Sequence, residues 1–172
     1  ARNSIAALDY ASGAATAWNP NPNATVRCIA VRDTTVIFGG GFTSVGGVTR
    51  RRIVMVGQRS GVPMAWNPDA DNLVTTLTLD GNVVYAGGGF SNIGGASRSK
   101  LAALNLAGLA TSWNPGANAI VNAIAVGPSV VFAGGAFAMV GGEERRSLVA
   151  LDATTGALLP WEPAVGDIVF AL

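Results

Sequence analysis

The sequence predicts an all-β protein made of repeated, four-stranded antiparallel sheets. Three observations carry that expectation. Tryptophan recurs every 47 to 48 residues, each period holds short runs of β-forming residues, and no stretch of about twelve residues sustains a helical spacing. With 172 residues, the chain is long enough for one domain with a sizeable core.

Trp18, Trp66, Trp113 and Trp161 stand 48, 47 and 48 residues apart. Asn-Pro follows the first three and Glu-Pro the fourth. Before each tryptophan lies an apolar run and a turn: IAALDYASG, IVMVGQRSG, LAALNLAGL and LVALDATTG. After the first three come TVRCIAV, LVTTLTL and IVNAIAV, then the turns RDT, LDGN and VGPS, then TVIFGGGF, VVYAGGGF and VVFAGGAF. These runs are rich in Val, Ile and Ala and are bounded by Gly, Pro, Asn and Asp, which marks them as strands. Four strands in a period near 47 form the pattern of a β-propeller blade. The expected boundaries are a strand pair in 1–20, blades at 24–68, 72–115 and 120–163, and a last inner strand at 168–172. That is fewer blades than a closed ring needs. The chain opens without Met and stops within a strand run, so it reads as part of a longer protein. Further blades or a second copy, in a homo-oligomer, would then cover the open blade faces.

Composition excludes several functions. The net charge is +1 and there is a single lysine, Lys100, so no basic surface for nucleic acid is expected. Histidine is absent, which removes the commonest general base and zinc ligand. One cysteine, Cys28, allows no disulfide within the chain and reads as a buried thiol in an alternating run. Leu101 to Gly142 carries no charge, but Gly127-Pro128-Ser129 interrupts it and its counterparts in the other units are charged. No membrane span is expected there.

The glycine-rich FGGGFTSVGG, AGGGFSNIGG and AGGAFAMVGG resemble phosphate loops only superficially. They lack the Gly-Lys-Ser/Thr ending and a following helix. Residues present in every unit are best explained by what every unit must do. Gly39, Gly40, Gly87, Gly88, Gly134 and Gly135 are therefore read as allowing close backbone approach or a bulge. Phe42, Phe90 and Phe137 are read as core plugs, and the four tryptophans as packing between blades. Arg50, Arg98 and Arg145 are assigned hydrogen bonds between blades.

Positions that differ between units are the candidate ligand contacts. Two loop series should open on one face. After the tryptophans they give Asn21, Asp69, Gly116 and Ala164, then Asn23, Asp71, Asn118 and Gly166. The second loop gives Arg51, Arg52, Glu143, Glu144 and Arg146. Asp69 and Asp71 form the one close carboxylate pair of the first series, a pairing suited to calcium, although solvated turn acids are the plainer reading. No catalytic residue and no other cofactor is expected.

GGGFTSVGGVTRRRIVMV, GGGFSNIGGASRSKLAAL and GGAFAMVGGEERRSLVAL, each leading to a TG…WNP-type segment, resemble the repeats of bacterial delta-sixty-type propeller proteins. That resemblance spans essentially the whole chain. It implies a secreted or surface-attached, non-catalytic scaffold or binding module, with a glycan or another surface protein as ligand. ALDYASG and ALDATTG also resemble the blade motifs of quinoprotein dehydrogenases, which would imply an enzyme. However, five steps rather than four separate Gly13 from Trp18, and no quinone or calcium ligands can be matched. A third class is a structural arc that closes with itself.

Overall fold

The computed structural model describes residues 2–163 and 165–172. Among them there is no helix, and none long and apolar enough to cross a membrane. Fifteen strands fall into three copies of one pattern. The first copy holds β1 (Val26–Arg32), β2 (Thr35–Gly40) and β5 (Ile53–Gly57), paired antiparallel in the order β1-β2-β5. The second holds β6 (Val74–Asp80), β7 (Val83–Gly88) and β10 (Leu101–Leu104), and the third β11 (Val121–Val126), β12 (Val130–Gly135) and β15 (Leu148–Asp152), in the same order. The uncharged stretch expected not to span a membrane is seen here as a hairpin, β11 to β12.

Between the second and third strand of each sheet stands a small separate hairpin. These are β3 (Ser44–Val45) with β4 (Val48–Thr49), β8 (Asn92–Ile93) with β9 (Ala96–Ser97), and β13 (Met139–Val140) with β14 (Glu143–Glu144). Their turns are Gly46-Gly47, Gly94-Gly95 and Gly141-Gly142, and both glycines of each pair have positive φ. That is the type I′ geometry whose twist matches a tight hairpin, and it is open to glycine at little cost. The second half of each glycine-rich stretch is therefore a turn.

The expected fourth strand is reduced. The segment before each tryptophan joins its sheet through one bridge: Leu8 with Ala15, Val56 with Pro63, Leu104 with Ala110, and Leu151 with Leu158. Each bridge consists of two backbone bonds, for example Gly57 N–H to Val62 O at 3.1 Å and Met64 N–H to Met55 O at 2.9 Å. Pairing stops there because the chain turns to carry the tryptophan away, and Pro20, Pro68, Pro115 and Pro163 have no N–H to extend a ladder. Residues 168–172 are likewise not paired as a strand. Val169 donates its N–H to Gly135 O at 3.2 Å and its carbonyl accepts from the Asn122 amide at 3.3 Å.

The hydrophobic cores lie between successive sheets. One joins Ile37, Ile53 and Met55 of the first sheet to Val74, Leu77, Val84 and Leu104 of the second, with Trp66 and Phe90. Another joins Tyr85, Leu101 and Ala103 of the second to Val121, Val131 and Leu151 of the third, with Trp113 and Phe137. A third sets Ile5 and Trp18 on Val36, Phe38, Phe42 and Val56. Each middle strand is covered on both faces, which is why β2 and β7 read as near-continuous apolar runs rather than alternating ones.

Such close stacking needs residues without side chains. A Cβ on Gly39 would stand 2.6 Å from Val74 Cγ1 of the next sheet. On Gly87 it would stand 2.8 Å from Val121 Cγ1, and on Gly134 2.5 Å from Val169 Cγ1. A Cβ on the residues after them, Gly40, Gly88 and Gly135, would stand 2.0 to 2.2 Å from the carbonyl oxygens of Thr25, Leu73 and Ile120, just before the first strand of the same sheet. A register shift in β1, β6 and β11 lies at the same level. Close approach and bulge, the two sequence-based expectations for these glycines, occur together.

Candidate functional site

The residues common to every unit are spent on the frame. Trp18, Trp66 and Trp113 are buried, and each indole N–H donates to a backbone carbonyl 39 residues on, at the end of the next third strand. The acceptors are Gly57 O at 3.1 Å, Asn105 O at 3.0 Å and Asp152 O at 3.0 Å. Trp161 differs. It stacks edge-on against Phe132 with centroids 5.2 Å apart, yet it remains 42% exposed. Packing between sheets therefore holds for three tryptophans and not for the fourth, beside which no further sheet stands among the described residues. Phe42, Phe90 and Phe137 are buried plugs as expected.

Arg50, Arg98 and Arg145 require a correction, because their bonds run within a unit and not between units. Arg50 donates to Thr49 O and Met64 O, both at 2.8 Å, and Arg98 to Ser97 O at 2.7 Å and to Thr111 O. Each ties the small hairpin to the outer segment of its own unit. Arg145 contacts Glu144 O at 2.7 Å and the carboxylates of Glu143 and Glu162.

Several candidate ligand residues also hold the frame. Asn23 Oδ1 accepts from the Thr43 and Ser44 N–H groups, and Asn118 Oδ1 from Ala138 and Met139. Asp71 does the same with Ser91 N–H at 2.8 Å and adds the Asn92 amide at 2.8 Å. This position fastens the start of each hairpin. Asn21, Asp69 and Gly116 share a left-handed backbone, with φ of 55°, 53° and 63°. That conformation favours Asn, Asp and Gly and so explains the residue types without a ligand. Arg52 is left-handed as well, like Lys100 and Ser147 at its equivalent positions, and its guanidinium donates to Gly41 O.

Burial raises the Asp71 carboxyl, but the Asn92 amide, the Ser91 and Asn92 N–H groups and Lys100 outweigh it. They hold the group below its ordinary value of 3.8. A carboxylate lowered by folding stabilises the native state above its unfolded value, and that contribution is lost as pH falls through the lowered one. Since asparagine serves at 23 and 118, Asp71→Asn is expected to keep stability at pH 7 within about 0.5 kcal/mol. It should also lessen the loss of stability in acid below 3.8. Denaturant midpoints across pH 2–7 check this, and a large loss at neutral pH would contradict it.

Asp69 and Asp71 are not joined by a third acidic, cysteine or histidine group. No cluster of three such groups occurs among the described residues. Asp69 instead faces Arg51 at 3.5 Å. Asp9 and Asp152, in the stretches that resemble quinoprotein motifs, cap their own turns. Asp9 Oδ1 accepts from Ser12 N–H and Oγ–H, and Asp152 Oδ1 from the Thr154 and Thr155 N–H groups and Thr155 Oγ1–H. The Cys28 thiol is pushed up by burial to about 12 and stays protonated at neutral pH.

What differs between units lies on the surface where a hairpin meets the preceding outer segment. Open depressions form there. One of about 580 Å³ is lined by Ser97, Ser99, Asn114, Asn118 and Met139, and its equivalent beside Arg146 and Glu162 measures about 400 Å³. A third, of about 460 Å³, is bordered by Asn67, Asp69 and Asn92. Ser99 bonds to Ala117 O at 2.9 Å and Arg146 to Glu144 at 2.7 Å, so each floor is polar but self-paired.

No family model and no curated protein matches the sequence. Among the solved structures similar in fold are two computationally designed proteins. The computationally designed Ika4 protein aligns with a TM-score of 0.59 at 17% identity over 87% of this chain and 79% of its own. The computationally designed Ika8 protein aligns with a TM-score of 0.61 at 17% identity over 88% of this chain. This chain spans 40% of the length of Ika8. At that identity the likeness concerns the fold alone.

Proposed function

We propose that the chain is an arc of a β-propeller serving as a non-catalytic scaffold or binding module, secreted or at a cell surface, with a glycan or protein ligand. One observation carries the reading: the recurring polar residues are occupied by frame hydrogen bonds, while unit-varying ones such as Ser99, Glu144 and Arg146 border open depressions of mixed polar and apolar lining. Open, self-paired surfaces suit an extended polar ligand contacted at several points better than a small substrate that must be enclosed. Arg51, Ser99 and Arg146, three versions of one position, are the contacts that would set specificity, with Glu143, Glu144 and Glu162 around the last. The test is a screen of immobilised glycans and surface proteins, followed by Arg51→Ala, Ser99→Ala and Arg146→Ala. A bound class whose affinity falls about tenfold with at least one substitution supports the reading. A ligand unaffected by all three would place recognition elsewhere.

A further inference from the structure

At opposite ends of the stack, among the described residues, stand an indole with no acceptor and a carbonyl that keeps its local turn bond but lacks the indole bond its counterparts also accept. Trp18, Trp66 and Trp113 each donate to a carbonyl 39 residues on, and among the described residues no equivalent acceptor stands beside Trp161. Counting back by the same period, the position equivalent to Gly57, Asn105 and Asp152 is Asp9. The bridge at Leu8–Ala15 confirms the equivalence, since it matches Val56–Pro63, Leu104–Ala110 and Leu151–Leu158. Its neighbour Leu8 is 65% exposed, whereas Val56, Leu104 and Leu151 at the same position are fully buried.

Apolar surface follows the same division. At one end Ile29 and Val31 of β1 are 52% and 58% exposed. They border a groove of about 230 Å³ shared with Ile5, Trp18 and Val36. At the other end Ile168, Phe170 and Leu172 are 43%, 75% and 54% exposed. Residues 168–172 continue the series of β6 and β11, because Val169 meets Gly134 as Val74 meets Gly39 and Val121 meets Gly87. In that series Phe170 corresponds to Thr75, whose hydroxyl donates to Val121 O of the following sheet. Phe170 thus points to where the next first strand would lie, and β1 is a first strand with no sheet before it.

We infer that a second copy of this chain docks head to tail. Trp161 and the Ile168–Leu172 segment of one copy cover Asp9, Leu8 and the Ile29–Val31 groove of the next. The junction repeats the contact already made between sheets inside the chain, so a second copy carries the matching surface at its own first sheet. It is heterologous, so two copies close into a ring when the rotation allows it and otherwise extend. The inference rests on reading the units as propeller-like blades and is independent of any ligand.

The experiment uses the 172-residue chain in light scattering coupled to size exclusion, from 1 to 100 µM. The expected mass is at least twice the chain mass of 17.3 kDa. Phe170→Asp and Ile29→Asp each disable one side of the junction and are expected to be monomeric, with unchanged circular dichroism. Mixed in equal amounts they retain one intact junction and are expected to regain a two-chain mass. Val31→Asp and Leu172→Asp, a second pair on the same two surfaces, cover the case in which a first variant misfolds. A wild-type monomer at 100 µM would overturn the inference, even with a glycan bound. So would association that survives all four substitutions, or a mixture of folded monomers that never pairs.

Discussion

Trp66→Ala is expected to cost about 3–5 kcal/mol of folding stability, and Trp161→Ala about 1–2 kcal/mol in the unassociated chain. Trp66 is 5% exposed, belongs to the core joining the first two sheets, and donates to Asn105 O. Its removal opens a cavity between two sheets and takes from Asn105 O the bond that crosses between units, leaving only the local one from Gly108 N–H. Trp161 has one ring neighbour and a face already in water, so less is lost. Urea midpoints for the two variants in a Phe170→Asp background measure the difference. Equal losses would mean that the tryptophans act locally and not between sheets.

Gly88→Ala is expected to cost about 3 kcal/mol or more. The added methyl would stand 2.1 Å from Leu73 O and 3.0 Å from Val74 Cα, both backbone atoms of the neighbouring strand. They can move only by opening the bulge that brings β6 under β7, and Val74 in turn packs on Gly39 of the preceding sheet. Gly127→Ala is the control. Its methyl would meet only Val130 O at 3.8 Å, and a change within about 0.5 kcal/mol is expected. A thermal unfolding scan separates the two, and a Gly88→Ala chain as stable as Gly127→Ala would show that the close approach is not needed.

Period, strand class and the tryptophans were legible because they depend on local pattern repeated in register. The runs that became β1, β2 and β5 and their counterparts stand in the structure where the β-forming residues stand in the chain. The small hairpins were not foreseen, since two residues on each side of Gly-Gly give no alternation to read. The Gly-Gly pair between apolar residues was the available signal. The role of Asn23, Asp71 and Asn118 was hidden for another reason. Asn and Asp look like variation between units, although both present one acceptor oxygen to the same two N–H groups. The arginines show the limit of recurrence. It marked Arg50, Arg98 and Arg145 as frame but could not say that the partners Met64 O and Thr111 O lie in the same unit. The outer strand was overcounted because the chain turns away after a single bridge, and the proline two residues past each tryptophan has no N–H to extend a ladder.

Hydrogen exchange of the four indole N–H groups tests the sheet-to-sheet stacking most directly. In the Phe170→Asp chain, resolved by NMR, Trp18, Trp66 and Trp113 are expected to exchange slowly, since each donates across a buried interface, while Trp161 exchanges at near-solvent rates. Four equally protected indoles, or a Trp66 signal that exchanges as fast as Trp161, would contradict a fold held together by each unit's tryptophan reaching into the next.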